Sequence, residues 1–548
     1  MKFKKIAIAV TTALALSACN STMMDTKKQQ MPSNAQATAQ NKVFSQDYVI
    51  EELDNGLKVM IVKTDYPDLV SLQIPVSTGS RNEVEEGKTG FAHFFEHMMF
   101  KGSKKFPQKM YADIFKNAGV DNGAYTTNDY TNYHLDFSKE HLEKVLEIQA
   151  DHFQNLEYTD AQFKTEALTV KGEYLKNNAS PIRKLLSAVR NEAFDKHTYK
   201  HTTMGFFKDI EAMPDQIAYG KTFFERFYKP EYVSLVIVGD VDPAKTMDMV
   251  KKYWGEWQRG TFETVVPQEP KQMAPRYKHE IYPNLPGHWL LVSYKGSDWQ
   301  PAKKDRAALD LLSQLYFSSN SALYQELVVD KQLASQMFTY NPETKDAGLR
   351  HVFVKVDDKK NLTAVRDAIN RTYAKVRTEL VDKTKLDNLK ANIKYSFVNG
   401  LDSSESIAGT LASYMHFDRN PEMLNELYNS IDGITAEDIR AMANKYFTDN
   451  GRTTVTMSAE DTIAGFDKEV NLNAAVVKMA SKPKSIDFAV LDKSNKSPLI
   501  DLNILFYTGA AADPAMKKGT AALMTSMLTQ GGSATKSYQE IKKALYPL

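Results

Sequence analysis

The sequence predicts a chain of mixed helix and strand in which one domain pattern is repeated. Segments with the alternation of β-strands are interleaved with segments that carry a helical stripe of apolar residues. The same order of segments returns after a proline-bearing stretch at residues 263–278. The 548 residues, 42% hydrophobic and 25% charged, are enough for two or three hydrophobic cores.

The N-terminus has the pattern of a bacterial export signal. Three lysines precede the apolar run Ile6–Leu16, which is too short to span a bilayer. The run ends in LSAC, which resembles the lipobox of bacterial lipoproteins, and Cys19 is the only cysteine. We therefore expect a signal peptide at residues 1–19 and a lipid on Cys19; the alternative is an ordinary cleaved signal with an incidental cysteine. Asn20 favours the outer membrane, facing the periplasm, by analogy with Gram-negative sorting.

The first predicted domain spans residues 47–262. It follows a polar stretch at residues 20–46, rich in Gln, Thr, Ala and Lys, which we expect to be a flexible tether. The domain pattern consists of two strands around a turn at 57–80, a helix in the stretch 89–103, a strand and helix at 131–153, and a late helix and strand at 216–240.

The second predicted domain, residues 279–462, repeats this pattern after the linker at 263–278. HVFVKVDDKKNLTAVRDAINRTYAKV repeats the strand and helix of YHLDFSKEHLEKVLEIQADHF, and TAEDIRAMANKYFTDNGRTTVTM repeats the late helix and strand. A second linker is predicted at 463–482. Residues 483–548 then align with the start of the first domain, so we expect a truncated third copy that ends with the chain.

The third copy is predicted to be inactive. Gly519 aligns with Gly90 at the start of a helix, but the polar groups that follow differ. Ala522, Thr525 and Ser526 stand where the first copy has His93, Glu96 and His97.

The charge balance argues against a nucleic-acid or polyanion-binding protein. Lys and Arg number 69 and Asp and Glu 68, which leaves a formal charge of +1. No global field therefore attracts a polyanion.

The stretch TGFAHFFEHMMFKGS, residues 89–103, predicts a metal site. His93 and His97 are four positions apart and Glu96 is three from His93, so all three share one face of a helix. Neutral imidazoles at this spacing can bind Zn²⁺, while the carboxylate faces the open coordination position as a general base. Catalytic zinc usually takes a third protein ligand.

A candidate for the third ligand lies in YTDAQFKTEALTVKGEYLKN. Thr159 and Gln162 predict a helix-capping box, and Glu166 and Glu173 follow two helical turns apart, on one face. The alternative is a solvated helix face with two glutamates. A second pair at metal-binding spacing, His197 and His201, is surrounded by Thr and Gly residues that favour a turn, so a second metal site is not expected.

The order HxxEH followed by Glu173 resembles the inverzincin motif of the pitrilysin or insulinase family of zinc metallopeptidases. NGAYTTNDYTNYH, KHTYKHTTMG and ERFYKPEYVSLVIVGD are similar to other landmarks of that family, which includes mitochondrial processing peptidase. The resemblance implies one zinc ion held by His93, His97 and Glu173, with Glu96 as the catalytic base. It implies that Glu166 is a supporting catalytic carboxylate that orients a ligand histidine.

The resemblance also implies the fold. Family domains are α+β, each with a mostly antiparallel sheet covered by helices, and two pairs of domains close around an unfolded peptide. The peptide would add a strand to a sheet edge, for which residues 122–126 are the candidate. In single-chain members a second half helps to grip the substrate, so we expect either a longer protein or a partner chain.

The leading functional prediction is a zinc endopeptidase or oligopeptidase, anchored by lipid in the bacterial envelope, that cleaves peptides or unfolded protein. The alternatives are a non-catalytic member that binds or scaffolds peptides, and an inactive fragment that needs its missing half or a partner chain. Metal storage finds little support, because one three-ligand site beside a base is a poor store.

Overall fold

The computed structural model describes residues 43–44, 46–460, 519–533 and 535–545. Within these residues, the strands form two sheets. The first sheet contains β1 (Tyr48–Glu52), β2 (Lys58–Lys63), β3 (Leu69–Val76), β4 (Asp121–Thr126), β5 (Thr131–Ser138) and β6 (Ser234–Gly239). The second contains β7 (Arg276–Ile281), β8 (His288–Lys295), β9 (Gln336–Tyr340), β10 (Leu349–Val356) and β11 (Arg452–Ser458).

The two sheets share one topology. The first has the order β1-β2-β6-β3-β5-β4 and the second β7-β11-β8-β10-β9. One neighbouring pair in each is parallel, β2 with β6 and β7 with β11, and every other pair is antiparallel. When the parallel pair β2–β6 of the first sheet is matched with the parallel pair β7–β11 of the second, the remaining strands follow in the same order. The first sheet differs only by the additional edge strand β1. The predicted α+β fold with repeated, mostly antiparallel sheets is confirmed.

Helices cover the sheets. Those of the first part of the chain are α1 (Phe91–Met98), α2 (Gln108–Ala118), α3 (Leu142–Asn155), α4 (Asp160–Asn178), α5 (Pro181–Ala193), α6 (Phe207–Ala212), α7 (Ile217–Phe227) and α8 (Pro243–Trp254). The second part contains α9 (Lys304–Phe317), α10 (Ala322–Tyr324), α11 (Asn361–Thr378), α12 (Lys383–Asn399), α13 (Ser404–Asp418), α14 (Glu422–Asp432) and α15 (Ala436–Tyr446). Near the C-terminus lie α16 (Thr520–Gln530) and α17 (Tyr538–Leu545).

The two sheet regions exchange one helix each. Helix α5 packs against β7 and β11 of the second sheet, where Leu185 and Val189 join the core with Val455. Helix α13 packs against β3 and β6 of the first sheet, and its Ser404 hydroxyl lies 3.0 Å from the hydroxyl of Thr64. The exchange links the two regions through buried contacts as well as through the chain.

The exchange explains why strands of the first sheet are buried on both faces. In β2, Val59 and Ile61 point into a core with α1 and its neighbours, whereas Met60 and Val62 point into the core of the second region. All six residues of β6 are buried in the same way. These strands therefore lack the polar face that alternation would give.

The structure corrects the predicted end of the N-terminal tether. The tether was expected to reach residue 46, but Val43 and Phe44 are buried and their backbone amides donate to Asn425 Oδ1 at 3.0 and 3.2 Å. The predicted end of the tether is therefore wrong, because these two apolar residues are buried against the core of the second region.

The predicted linker 263–278 is also too long at its C-terminal end, since strand β7 begins at Arg276. The signal peptide, Cys19 and the linker 463–482 lie outside the described residues.

The described part of the predicted third copy is helical. Helix α16 starts after Gly519, at φ 93° and ψ 1°, and α1 starts after Gly90, at φ 92° and ψ 0°. The matched backbone geometry agrees with the alignment of the two segments. Among the described residues, no helix is both long and apolar enough to cross a membrane.

Candidate metal centre

A buried carboxylate fixes the start of α1, which carries HFFEH. The Oε2 and Oε1 atoms of Glu83 accept the backbone N–H groups of Gly90 and Ala92, both at 2.7 Å. These N–H groups would otherwise lack partners at the helix start, and the helix dipole favours an anion there. Burial raises the pKa of Glu83 to about 8, although the N–H groups of Ala92 and Gly90 favour the charged form. The Glu83 side chain therefore fixes the position of the N-terminal turn of α1.

The apolar face of α1 sets the orientation of its polar face. Phe91, Phe94, Phe95 and Met98 are fully buried in the first core. Their spacing leaves the two histidines and Glu96 on the remaining surface of the helix.

Helix α4 supplies the third residue from a distant part of the chain. The predicted capping box of Thr159 and Gln162 is present at its start. Phe163 packs against Phe94 of α1 with ring centroids 4.7 Å apart, so the two helices are in direct contact. The predicted spacing of Glu166 and Glu173 then turns both carboxylates toward α1.

The predicted ligands His93, His97 and Glu173 are close together. Glu173 Oε2 lies 3.6 Å from His93 Nε2 and 3.5 Å from His97 Nε2. One ligand atom from each residue lies within 4.8 Å of the other two, and within the described ranges no other set of three His, Cys, Asp or Glu residues does so. Ligands at roughly 2.0–2.2 Å from a tetrahedral zinc lie about 3.3–3.5 Å apart. The observed spacing fits such an ion, and the donor set of two imidazoles and a carboxylate is one that zinc accepts.

Each of the two histidines has a ring nitrogen available for a metal ion, for a different reason. Burial, and secondarily His97, lowers the pKa of His93 to about 4, which keeps the ring neutral with a lone pair available. The Nδ1 atom of His93 is buried and has no hydrogen-bond partner among the described residues. His97 Nδ1 lies 2.9 Å from Glu166 Oε1, and the tautomer that donates there leaves Nε2 free for a metal.

Glu166 connects His97 to a lysine. Its second oxygen lies 2.5 Å from Lys101 Nζ. The hydrogen bond with His97, opposed by burial and reinforced by Lys101, lowers the pKa of Glu166 to about 2. Burial alone would lower the pKa of His97, but Glu166 and the nearby carboxylates raise it. Lys101 was not predicted as part of the site; it lies four residues after His97, in the 3₁₀ turn Met99–Lys101 that follows α1.

Glu96 stands beside the three candidate ligands and is held from another element. The hydroxyl of Thr126, at the end of β4, donates to Glu96 Oε2 at 2.6 Å. Burial raises the pKa of Glu96 despite this hydrogen bond. Thr126 was expected only as part of a sheet edge, and the sequence carries no signal that links it to Glu96.

Strand β4 is an edge of the first sheet, as predicted for residues 122–126. It pairs with β5 alone, from Asp121 to Thr126, which leaves its outer edge unpaired within the described residues. The end of this edge reaches the candidate metal centre, where Thr126 donates to Glu96.

The other histidine pair does not form a metal site. His197 Nε2 lies 2.9 Å from Asp346, whereas His201 Nδ1 lies 3.0 Å from the carbonyl of Thr202. The two rings thus have separate partners, on either side of a short 3₁₀ turn at Thr198–Lys200.

Comparison with known proteins identifies the family. Residues 58–205 match the model of insulinase (peptidase family M16), and residues 221–393 match that of the peptidase M16 inactive domain. Zinc protease PqqE of Helicobacter pylori is 30% identical over 410 residues, which are 74% of this chain and 91% of the relative.

Solved structures agree with this assignment. A protease from Helicobacter pylori matches with a TM-score of 0.70 and 29% identity, over 75% of this chain and 99% of its own. The periplasmic protease PqqL from Escherichia coli matches in fold, with a TM-score of 0.64 and 18% identity, over 91% of this chain and 62% of its own. The chain therefore belongs to the M16 (insulinase) family of peptidases.

Proposed function

We propose that this protein is a zinc-dependent endopeptidase or oligopeptidase that hydrolyses extended peptides, with one zinc ion held by His93, His97 and Glu173. The observation that carries the proposal is the spacing of 3.5 and 3.6 Å from Glu173 to the two imidazole nitrogens. Two uncoordinated imidazoles and a carboxylate at these distances gain little from one another, whereas a zinc ion among them satisfies all three. Relatives named zinc proteases support the choice of metal.

The chemistry that bound zinc supplies is Lewis acidity, which lowers the pKa of water and polarises a carbonyl group. Glu96 acts as the general base: it takes a proton from the attacking water and returns it to the leaving amine. Between the two transfers the carboxyl group of Glu96 holds the proton. Thr126 fixes one carboxylate oxygen, so the other is directed toward the water.

The free edge of β4 positions the substrate in this proposal. A peptide added alongside β4 would pair its backbone with the strand, which favours extended chains and is largely indifferent to sequence. The scissile bond would lie where β4 reaches Glu96, at Thr126.

We place the enzyme in the bacterial envelope, attached by a lipid on Cys19 and facing the periplasm. Support for this part comes from the basic and apolar N-terminal segment and the LSAC sequence. A second half or a partner chain that completes the substrate chamber is also part of the proposal. Its support is the match to a longer fold, since this chain covers 62% of the Escherichia coli structure.

The test compares the wild-type chain with Glu96→Gln and with Glu256→Gln, a matched change at an exposed glutamate on another surface. Zinc content is measured together with cleavage of a quenched fluorescent peptide library. We expect about one zinc per chain in all three proteins, and a loss of about 10²–10⁴-fold in cleavage for Glu96→Gln alone.

Two results would contradict the proposal. A wild-type chain without zinc would exclude the metallopeptidase mechanism, and full activity in Glu96→Gln would exclude this residue as the base. Restoration of activity by zinc after chelation would be expected of the wild type and of Glu256→Gln.

A further inference from the structure

A cavity of about 700 Å³ opens beside the metal centre. Its wall includes Thr126, which donates to Glu96, and Asn177, whose Nδ2 donates to Glu173 Oε1 at 3.1 Å. The opposite wall comes from the second sheet region and includes Phe338 and Tyr340 of β9. A peptide that lies along β4 and reaches the metal centre therefore has this cavity directly in front of it.

Helix α5 turns a basic face toward the cavity. Arg183, Ser187 and Arg190, spaced as one helical face, line the cavity. The opposite face of α5, with Leu185 and Val189, is fixed in the core of the second sheet. The basic face is thus held on a rigid element.

Arg190 is a buried cation that forms no ion pair with a carboxylate among the described residues, although Asp129 attracts it from a longer distance. Arg190 is only 8% exposed to solvent. Nη1 donates to Asn128 Oδ1 at 2.8 Å and to the carbonyl of His201 at 3.2 Å. Within the described part of the chain, Nε and Nη2 have no hydrogen-bond partner, and no carboxylate forms an ion pair with Arg190.

Asp129, which acts on Arg190, and Glu343, which lines the same cavity, each contact another partner. Asp129 accepts the hydroxyl of Tyr199 at 2.6 Å and lies 3.8 Å from Arg81. Glu343, on the cavity wall, lies 3.6 Å from Arg306. A buried guanidinium is costly unless an anion pairs with it, and burial lowers the pKa of Arg190 accordingly.

We propose that the cavity binds a carboxylate of the peptide substrate, which Arg190 receives through its free Nε and Nη2 atoms. The guanidinium plane presents parallel N–H groups that match the two oxygens of a carboxylate. Arg183, exposed on the same face of α5, adds positive charge at the cavity. The result is a preference for substrates with an acidic group near the scissile bond, and it rests on the proposed peptidase function.

The carboxylate has two sources, an Asp or Glu side chain within the peptide or the free C-terminus of a short peptide. The experiment therefore uses one parent peptide in which Asp, Glu, Asn, Gln or Lys is placed in turn at each position around the cleaved bond. Each peptide is made with a free and with an amidated C-terminus. The value of kcat/KM is measured for the wild type, Arg190→Gln, Arg190→Lys and Arg371→Gln, the last a control on the exposed surface of α11.

The wild type and Arg371→Gln are expected to prefer the carboxylate peptides over their amide partners by about tenfold or more at one position. Arg190→Gln should lose this preference, and Arg190→Lys, which keeps the charge without the planar fork, should retain part of it. A preference that depends on Asp or Glu assigns a side chain, and one that depends on the free C-terminus assigns the terminal carboxylate. No preference in the wild type, or the same preference in Arg190→Gln, would overturn the proposal.

Direct binding separates this proposal from the peptidase function. Fluorescence anisotropy of the same peptides is measured on the wild type and on Arg190→Gln, and thermal melting checks that each variant is folded. Tighter binding of carboxylate peptides without any cleavage would support the cavity site and reject the peptidase. Cleavage without any preference for carboxylate peptides would support the peptidase function and reject the cavity site. If Arg190→Gln does not fold, the comparison of wild type with Arg190→Lys decides.

Discussion

Replacing Glu166 by Gln tests how far the proposed metal centre depends on a residue outside the proposed ligand set. Glu166 accepts from His97 Nδ1 at 2.9 Å and pairs with Lys101 at 2.5 Å, and its side chain is only 11% exposed. The Gln side chain has nearly the same shape but no charge. It therefore removes the charge assistance that orients His97 and makes its other nitrogen a better metal ligand.

The expected magnitude follows from this hydrogen bond. A hydrogen bond to a charged group contributes about 1.5–3 kcal/mol, which corresponds to about 10–100-fold in an equilibrium constant. We expect zinc affinity to fall by that factor in Glu166→Gln, measured at fixed pH by competition with a chelator of known affinity. Thermal melting of the metal-free proteins shows whether the loss reflects the site or the fold.

Lys101→Met is the matched control for this prediction. It removes the other partner of Glu166 but leaves the carboxylate on His97, so its effect on zinc affinity should be much smaller. Unchanged zinc affinity in Glu166→Gln, or an equal loss in Lys101→Met, would refute the assignment of Glu166 as the group that orients His97.

Two further predictions concern the framework around the site. Burial alone would raise the pKa of Asp346, but hydrogen bonds from His197 at 2.9 Å and Arg81 at 2.5 Å hold it below its usual value. Asp346→Asn should lower the free energy of unfolding by about 1–3 kcal/mol at pH 7. Because the folded-state pKa is depressed, this difference should begin to shrink as the pH falls below about 4 and should vanish only when the pH passes the folded-state pKa. A pH-independent difference in urea denaturation would contradict this. Gly205 has φ +74°, and a Cβ there would lie 2.7 Å from the backbone nitrogen that precedes α1, so Gly205→Ala should cost about 2 kcal/mol or more by the same measurement. Gly172→Ala, within α4 and with open space around the new Cβ, should be neutral or stabilising, and equal effects of the two glycine substitutions would show that the close approach at Gly205 is unimportant.

Much of the fold could be predicted because its signals are local. The strands at 57–80 and 131–137, the helix of HFFEH and the capping box at Thr159 all lie where the sequence indicates. The recurrence of segments also predicted that the second sheet repeats the first. Each of these features depends on residues within one or two turns or strands, where periodicity and capping preferences act directly.

The boundaries of the two regions were harder to predict. The sequence treats residues before and after the proline-bearing stretch as separate units, whereas α5 and α13 each pack on the other region's sheet. Both helices have apolar faces, and an apolar face does not specify which sheet will cover it. Val43 and Phe44 were misjudged for the same reason, since their burial depends on a surface almost 400 positions later.

The sequence by itself determined which polar groups share a surface: helical spacing places His93, Glu96 and His97 on one helix face, and a spacing of two turns places Glu166 and Glu173 on another. The tertiary structure decided which residues from other elements contact these two helix faces. Only packing brings Glu173 within 3.6 Å of both histidines and gives Glu96 its hydroxyl donor Thr126. Packing also buries Arg190 beside the cavity with no ion-paired carboxylate in the described part of the chain. The reason is physical, because backbone geometry fixes neighbours within an element, while contacts between distant elements arise from the burial of many side chains together.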